Sequence, residues 1–109
     1  MSRVLVTGGS GYFGSLLVRR LLTDGHDVRV LDISDADDRP DDVDFVRADI
    51  RDPDAVRRAV EGIDTIFNNV AQVPLARDLE LLRSVNVDGT VILLDAAVRA
   101  GVRKVVHTS

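Results

Sequence analysis

The chain has 109 residues, 45% apolar and 29% charged, the balance of one soluble globular domain with a real core. Its net charge of -4 argues against a nucleic-acid binder, whose affinity rests on clustered Lys and Arg. The lack of cysteine excludes disulfides and thiolate metal sites, and no run approaches the ~20 apolar residues of a membrane helix, so a soluble cytoplasmic protein is expected.

Val4 to Val6 form a short apolar run that reads as a buried parallel strand. After a glycine-rich turn, Phe13, Leu16, Leu17 and Leu21 recur at helical spacing, and Gly25 suits the residue that ends such a helix. Val28 to Leu31 give a second strand. An acidic loop with Pro40 follows, then a third strand over Val43 to Val46. Asp52-Pro53 is an N-cap and first-turn signature, and Val56, Ala59 and Val60 supply that helix with its apolar face. Ile63 to Phe67 make strand four and Asn68 to Pro74 a loop. A long helix is predicted from about Asp78 to Ala100, burying Leu79, Leu82, Val85, Leu93, Ala96, Ala97 and Ala100. Gly101 stops it, and Val102, Val105 and Val106 begin strand five. Alternating strands and helices predict an α/β fold, a Rossmann-like doubly wound parallel sheet of about five strands in the order 3-2-1-4-5.

Thr7-Gly8-Gly9-Ser10-Gly11-Tyr12-Phe13-Gly14 lies between the first strand and the first helix, the context in which a glycine motif signals dinucleotide binding. Gly8 permits the tight turn, Gly11 lets a pyrophosphate approach the backbone, and Gly14 lets the helix pack close to the sheet. The helix start then offers unpaired N–H groups to the phosphates. Asp32 ends strand two, about 20 residues further on, where a carboxylate takes ribose hydroxyls and repels a 2′-phosphate. The first basic residue after it is Arg39, so NAD is favoured over NADP. The plainer alternative makes Asp32 a strand-end cap.

At this point the residues resemble the extended short-chain dehydrogenase/reductases, the NAD-dependent epimerase/dehydratase group. The loop is similar to that family's TGxxGxxG. Ala48 to Asp52 resembles its D-[IL]-x-D stretch, Asp64 to Phe67 its fourth strand, Asn86 to Thr90 its NVxGT segment, and Val105 to Ser109 its fifth strand. The resemblance implies that Asp49 and the amide of Ile50 hold the adenine. It also makes Tyr12, Phe13, Ile33, Val70, Ala71, Asn86 and Thr108 cofactor-contacting positions. Where the family has His-[Leu/Phe]-Ala-[Ala/Gly] after strand four, this chain has Asn68-Asn69-Val70-Ala71.

The family's Tyr-x-x-x-Lys pair, a tyrosine acid/base with a lysine that lowers its pKa, is not in this chain: the one tyrosine is Tyr12 and the one lysine Lys104. His26 reads as a turn residue and His107 as a strand residue, neither with nucleophile or metal-ligand spacing. The expectation is an incomplete dinucleotide-binding domain over residues 1–109, ending after strand five without a substrate domain and inactive by itself. Its complete form is expected to act on nucleotide sugars. The alternatives are the front of a hydroxysteroid-type dehydrogenase, a non-catalytic binding module, or a folding fragment. A sheet face and edge left bare would favour a homodimer or domain-swapped assembly.

Overall fold

A computed structural model describes residues 2–10, 12–35, 39–69 and 87–107. Its elements run β1 (Arg3–Thr7), α1 (Tyr12–Thr23), β2 (Asp27–Asp32), β3 (Asp44–Arg47), α2 (Pro53–Ala59), β4 (Thr65–Asn68), α3 (Gly89–Ala100) and β5 (Lys104–His107). All four pairings are parallel, and the strand order is β3-β2-β1-β4-β5, as the alternation predicts. The chain winds outward through β2 and β3, then returns to place β4 on the other side of β1. The topological switch point of the sheet therefore lies between the carboxyl ends of β1 and β4.

Side-chain alternation along the central strands splits the core in two. Val4, Val6, Val28 and Val30 face α1, meeting Val18 and Leu21. Leu5, Leu31 and Ile66 face the other way, onto Val56, Ala59 and Val60 around α2 and Leu93, Ala96 and Ala97 of α3. Leu5, Ile66 and Leu93 are fully buried, each contributing about 1.5–3 kcal/mol of transfer free energy.

The helix ends follow the residues marked for them. His26 N–H donates to Leu21 O and Gly25 N–H to Leu22 O, a Schellman closure that needs the positive φ of 87° at Gly25. Asp52 Oδ1 accepts from the amides of Asp54 and Ala55 at 3.1 and 3.3 Å, with Pro53 opening α2. Gly101 closes α3 at φ 76°.

Three expectations need correction. The buried stripe of α1 is Gly14, Val18 and Leu21, while Phe13 and Leu16 are 55% and 52% exposed. Gly14 must face inward because a Cβ there has no room, and that fixes the helix's rotation about its axis. Asn68 is the last residue of β4 and not a loop residue, because it pairs with Thr7 and His107 on the flanking strands. Ala100, on the last turn of α3, is exposed. The expected start of the last helix at Asp78, with Leu79, Leu82 and Val85, lies outside the described residues.

Candidate cofactor site

The glycine loop leaves β1 at its carboxyl end and is tied down at three points. Gly8, at φ 70°, donates its N–H to Leu31 O at 2.9 Å, fastening the turn to β2. Ser10 N–H donates to Asp32 Oδ2 at 3.1 Å, and Ser15 Oγ donates to Gly9 O at 3.3 Å. The two glycine contacts beneath the loop are close. A Cβ on Gly14 would stand 2.1 Å from Gly8 O and 2.8 Å from Gly9 Cα, and one on Gly9 would stand 2.8 Å from both methyls of Val30. The loop thus lies directly on the first turn of α1 and on β2, with no side chain interposed. Helix amides at such an end have no intrahelical partner and attract anions.

Asp32 sits half-buried at the end of β2, and its second oxygen accepts from Ser34 N–H at 3.3 Å. It therefore organises the loop through Ser10 and still lies beside the crevice that a ribose would enter. Ile33, next to it, is 54% exposed. Tyr12 and Phe13 project into solvent from the first turn of α1. Arg39 is engaged in full. Its Nε and Nη2 reach Asp35 at 2.7 and 3.1 Å, its Nη1 donates to Val43 O at 3.0 Å, and its guanidinium stands 4.9 Å from the Phe45 ring centroid.

Beyond β3, Asp49 is gripped by Arg51. The Arg51 backbone amide donates to Asp49 Oδ1 at 2.9 Å, and Nη2 reaches Oδ2 at 2.6 Å. Those side-chain bonds hold the Asp49 carboxyl below the usual carboxylate range, with partial burial opposing them. Ile50 is buried, and a Cβ on Gly89 would stand 2.5 Å from its Cγ2, so the start of α3 rests on this turn. The positions predicted at Gly11, Val70, Ala71, Asn86 and Thr108 lie outside the described residues.

The structure also brings together residues not singled out as site groups. At the carboxyl edge, Thr7 Oγ1 donates to Asn68 Oδ1 at 2.6 Å, and Asn68 Nδ2 meets His107 Nδ1 at 3.1 Å, a relay across β1, β4 and β5 that is buried at Thr7 and Asn68 and reaches the surface at His107. Asn69 N–H donates to Thr7 Oγ1 at 3.1 Å and to Thr7 O at 3.2 Å. The signal for this relay was two consecutive asparagines ending an apolar strand, since buried amides require partners. The side-chain amide of Asn69 and the hydroxyl of Ser10 are buried without hydrogen-bond partners among the described residues. Orphaned polar atoms and a loop laid bare of side chains are the surroundings a dinucleotide phosphate and ribose would complete.

The model of the NAD dependent epimerase/dehydratase family matches residues 4–109. The chain is 44% identical over 119 residues to UDP-glucose 4-epimerase of Mycolicibacterium smegmatis, covering 98% of this chain and 38% of that protein. It is 43% identical over 118 residues to a 3 beta-hydroxysteroid dehydrogenase/Delta 5-->4-isomerase of Mycobacterium tuberculosis, covering 100% of this chain and 32% of that one. Among solved structures, the Thermus thermophilus UDP-glucose 4-epimerase complex with NAD superposes with a TM-score of 0.85 at 37% identity, covering 94% of this chain and 36% of its own. The chain spans less than two fifths of the length of each of these relatives.

Proposed function

The chain belongs to the NAD-dependent epimerase/dehydratase family, and from that premise we propose that it binds NAD in the crevice at the carboxyl ends of β1, β2 and β4. The observation that carries this reading is the seating of the glycine loop on α1, where Gly14 approaches the Gly8 carbonyl so closely that no side chain fits at position 14. The diphosphate lies over the amides of the loop and helix start, and Asp32 takes the hydroxyls of the adenosine ribose. NAD is preferred to NADP on two grounds. The Asp32 carboxylate repels a 2′-phosphate, and Arg39, the nearest basic residue after it in sequence, is spent on Asp35, Val43 and Phe45. Isothermal titration tests the reading: NAD binding with weaker NADP binding is expected, and no heat with either dinucleotide overturns it.

The chain is the cofactor-binding portion of a longer oxidoreductase or isomerase that acts on a nucleotide sugar, working in the cytoplasm. The chemistry such a cofactor supplies when bound is reversible hydride transfer. This chain's share of that chemistry is to hold and orient the dinucleotide, and no turnover is expected from residues 1–109 alone. A second reading, the front of a hydroxysteroid-type dehydrogenase, is supported by a nearly equal identity to the mycobacterial steroid enzyme. Assay of the longer enzyme with a nucleotide sugar and with a 3-hydroxysteroid separates the two.

The chain also self-associates in this reading. Val91, Leu94 and Val98 of α3, with Val87 just before it, are all exposed and follow one another by three and four residues, with Val87 four before Val91, one apolar stripe opposite the buried face of the helix. Such spacing is that of a helix seam, and a second copy of the same helix offers a self-complementary match across a two-fold axis. Among the described residues no helix is long and apolar enough to cross a membrane.

A further inference from the structure

We propose that the Thr7–Asn68–His107 relay is a proton-sensitive switch: a proton taken up by His107 at the surface turns the buried Asn68 amide over and loosens the root of the glycine loop, weakening dinucleotide binding. This rests on the NAD-binding reading above. Thr7, Asn68 and His107 are register partners on β1, β4 and β5, so their side chains stand side by side on one face of the sheet at its carboxyl edge. Thr7 and Asn68 are 0% and 2% exposed, while His107 is exposed. The inner end of the relay is therefore sealed and the outer end open to solvent protons.

Donors and acceptors along the relay follow one from another. Thr7 Oγ1 accepts the N–H of Asn69 at 3.1 Å, which leaves its own hydroxyl proton to give. That proton goes to Asn68 Oδ1 at 2.6 Å, a separation ordinary for O–H···O and short for N–H···O. Asn68 Nδ2 then faces His107 Nδ1 at 3.1 Å and must donate, so Nδ1 is bare and the ring carries its proton on Nε2. A second proton has only Nδ1 to go to, and it sets donor against donor. Turning the Asn68 amide by half a turn restores the bond at His107, now charge-assisted and stronger. The cost moves inward. Asn68 Nδ2 then points at Thr7 Oγ1, and the buried Thr7 hydroxyl proton loses its acceptor. Thr7 is the residue from which the glycine loop leaves β1, and its hydroxyl also holds Asn69 at the end of β4.

Few charges bear on the ring. β4 presents the uncharged Asn68 to it, and Lys104 of its own strand stands at the far end of β5. On the α2–α3 side the charged groups at this edge are Asp49, Arg51 and Asp88, of which Arg51 bonds Asp49 and is drawn to Asp88. Among the described residues no carboxylate is paired with His107.

The test is calorimetric titration with NAD at several pH values from about 8 to about 5.5, the range in which histidines change charge. Affinity of the wild type should fall about five-fold toward acid, the equivalent of one neutral hydrogen bond. The sign is diagnostic, since a cationic imidazole acting by charge alone would attract the diphosphate and strengthen binding. His107→Gln, which offers Asn68 a neutral acceptor that takes up no proton, should match the wild type at the alkaline end and keep that affinity at the acid end. The one other histidine, His26, precedes β2 at the opposite edge of the sheet, and His26→Gln should leave the acid loss in place. Without ligand, the Asn68 side-chain NH2 pair in 15N-labelled protein should shift along the His107 titration and be indifferent to pH in His107→Gln. An affinity that rises toward acid, an equal acid loss in His107→Gln, or an NH2 pair that ignores His107 overturns the switch. If the wild type binds no NAD at any pH, the proposed function falls and this coupling with it. If the wild type binds equally well across the range, only this inference falls.

Discussion

A Cβ placed on Gly14 would come within 2.1 Å of the carbonyl oxygen of Gly8, across the turn that joins β1 to α1. The neighbour is backbone, and that backbone is held by the bond from Gly8 N–H to Leu31 O. Nothing in this contact can rotate out of the way. The close approach sets the rotation of α1, the seat of the loop and the exposure of the helix start.

Gly14→Ala should therefore destabilise the fold by about 1–3 kcal/mol, the range for overpacking, and abolish detectable NAD binding. Gly9→Ala offers a contrast, because the nearest atoms to its Cβ would all belong to the Val30 side chain, the two methyls at 2.8 Å and Cβ at 3.3 Å. Pairing it with Val30→Ala should recover part of the loss in stability, whereas no single side-chain trimming should rescue Gly14→Ala. Urea unfolding of the two singles and the double measures this coupling. Equal stability of Gly14→Ala and wild type would mean that the loop is not seated as described.

Asp32 does two things at once, so its removal should have two effects. Asp32→Ala frees the Ser10 amide as well as emptying the ribose position, and binding of both NAD and NADP should weaken. The loss should be larger for NAD by about ten-fold, because the variant also relieves the repulsion of a 2′-phosphate. Titration with both dinucleotides reads the ratio. Equal losses would leave Asp32 as a loop anchor alone.

The strand order and the helix ends were legible because they depend on local, near-obligatory signals: apolar runs, Asp52-Pro53, and glycines at positive φ such as Gly25 and Gly101. The face of α1 was not. Its sequence from Phe13 to Leu22 is apolar at Phe13, Leu16, Leu17, Val18, Leu21 and Leu22, so hydrophobic spacing permits two adjacent stripes. Only a three-dimensional contact, Gly14 against Gly8, chooses between them. The relay Thr7–Asn68–His107 was hidden for a similar reason: it joins three strands far apart in sequence that become neighbours only once the sheet order is known. The corrected face is itself testable. Leu21→Ala should cost about 2–5 kcal/mol and Leu16→Ala no more than about 0.5 kcal/mol, measured by urea unfolding.

The Asp49–Arg51 pair gives a pH signature. The Asp49 carboxyl lies below its ordinary value of 3.8, chiefly through the Arg51 side-chain bonds, so the pair stabilises the fold at neutral pH. That contribution is complete above the unfolded-state value and disappears as acidification protonates Asp49 through its lowered folded-state value. Because both side chains are more than a third exposed, solvent screening keeps the effect small. In Arg51→Ala the Asp49 carboxyl should titrate at a higher pH, because the side-chain bonds that lower it are gone while burial, which raises it, outweighs the backbone N–H of residue 51 that still donates to Oδ1. Carbon-13 titration of the Asp49 carboxyl in both proteins checks this. A downward shift, or none, would refute the assignment of Arg51 as the cause.

The stripe on α3 makes the last prediction. Val91 and Val98 are 62% and 80% exposed, on a helix whose opposite side buries Leu93, Ala96 and Ala97 against the sheet. A surface helix that needs only one apolar face gains nothing as a monomer from a second one, whereas two copies meeting along that seam bury both. Val91→Glu with Val98→Glu puts like charges on each side of the seam without touching the core or the crevice at the carboxyl ends of the strands. Light scattering should then report a dimer for the wild type and a monomer for the double variant, with NAD affinity unchanged. A wild-type mass of one chain at high concentration would remove self-association from the account, while a dimer that survives both glutamates would move the interface off α3.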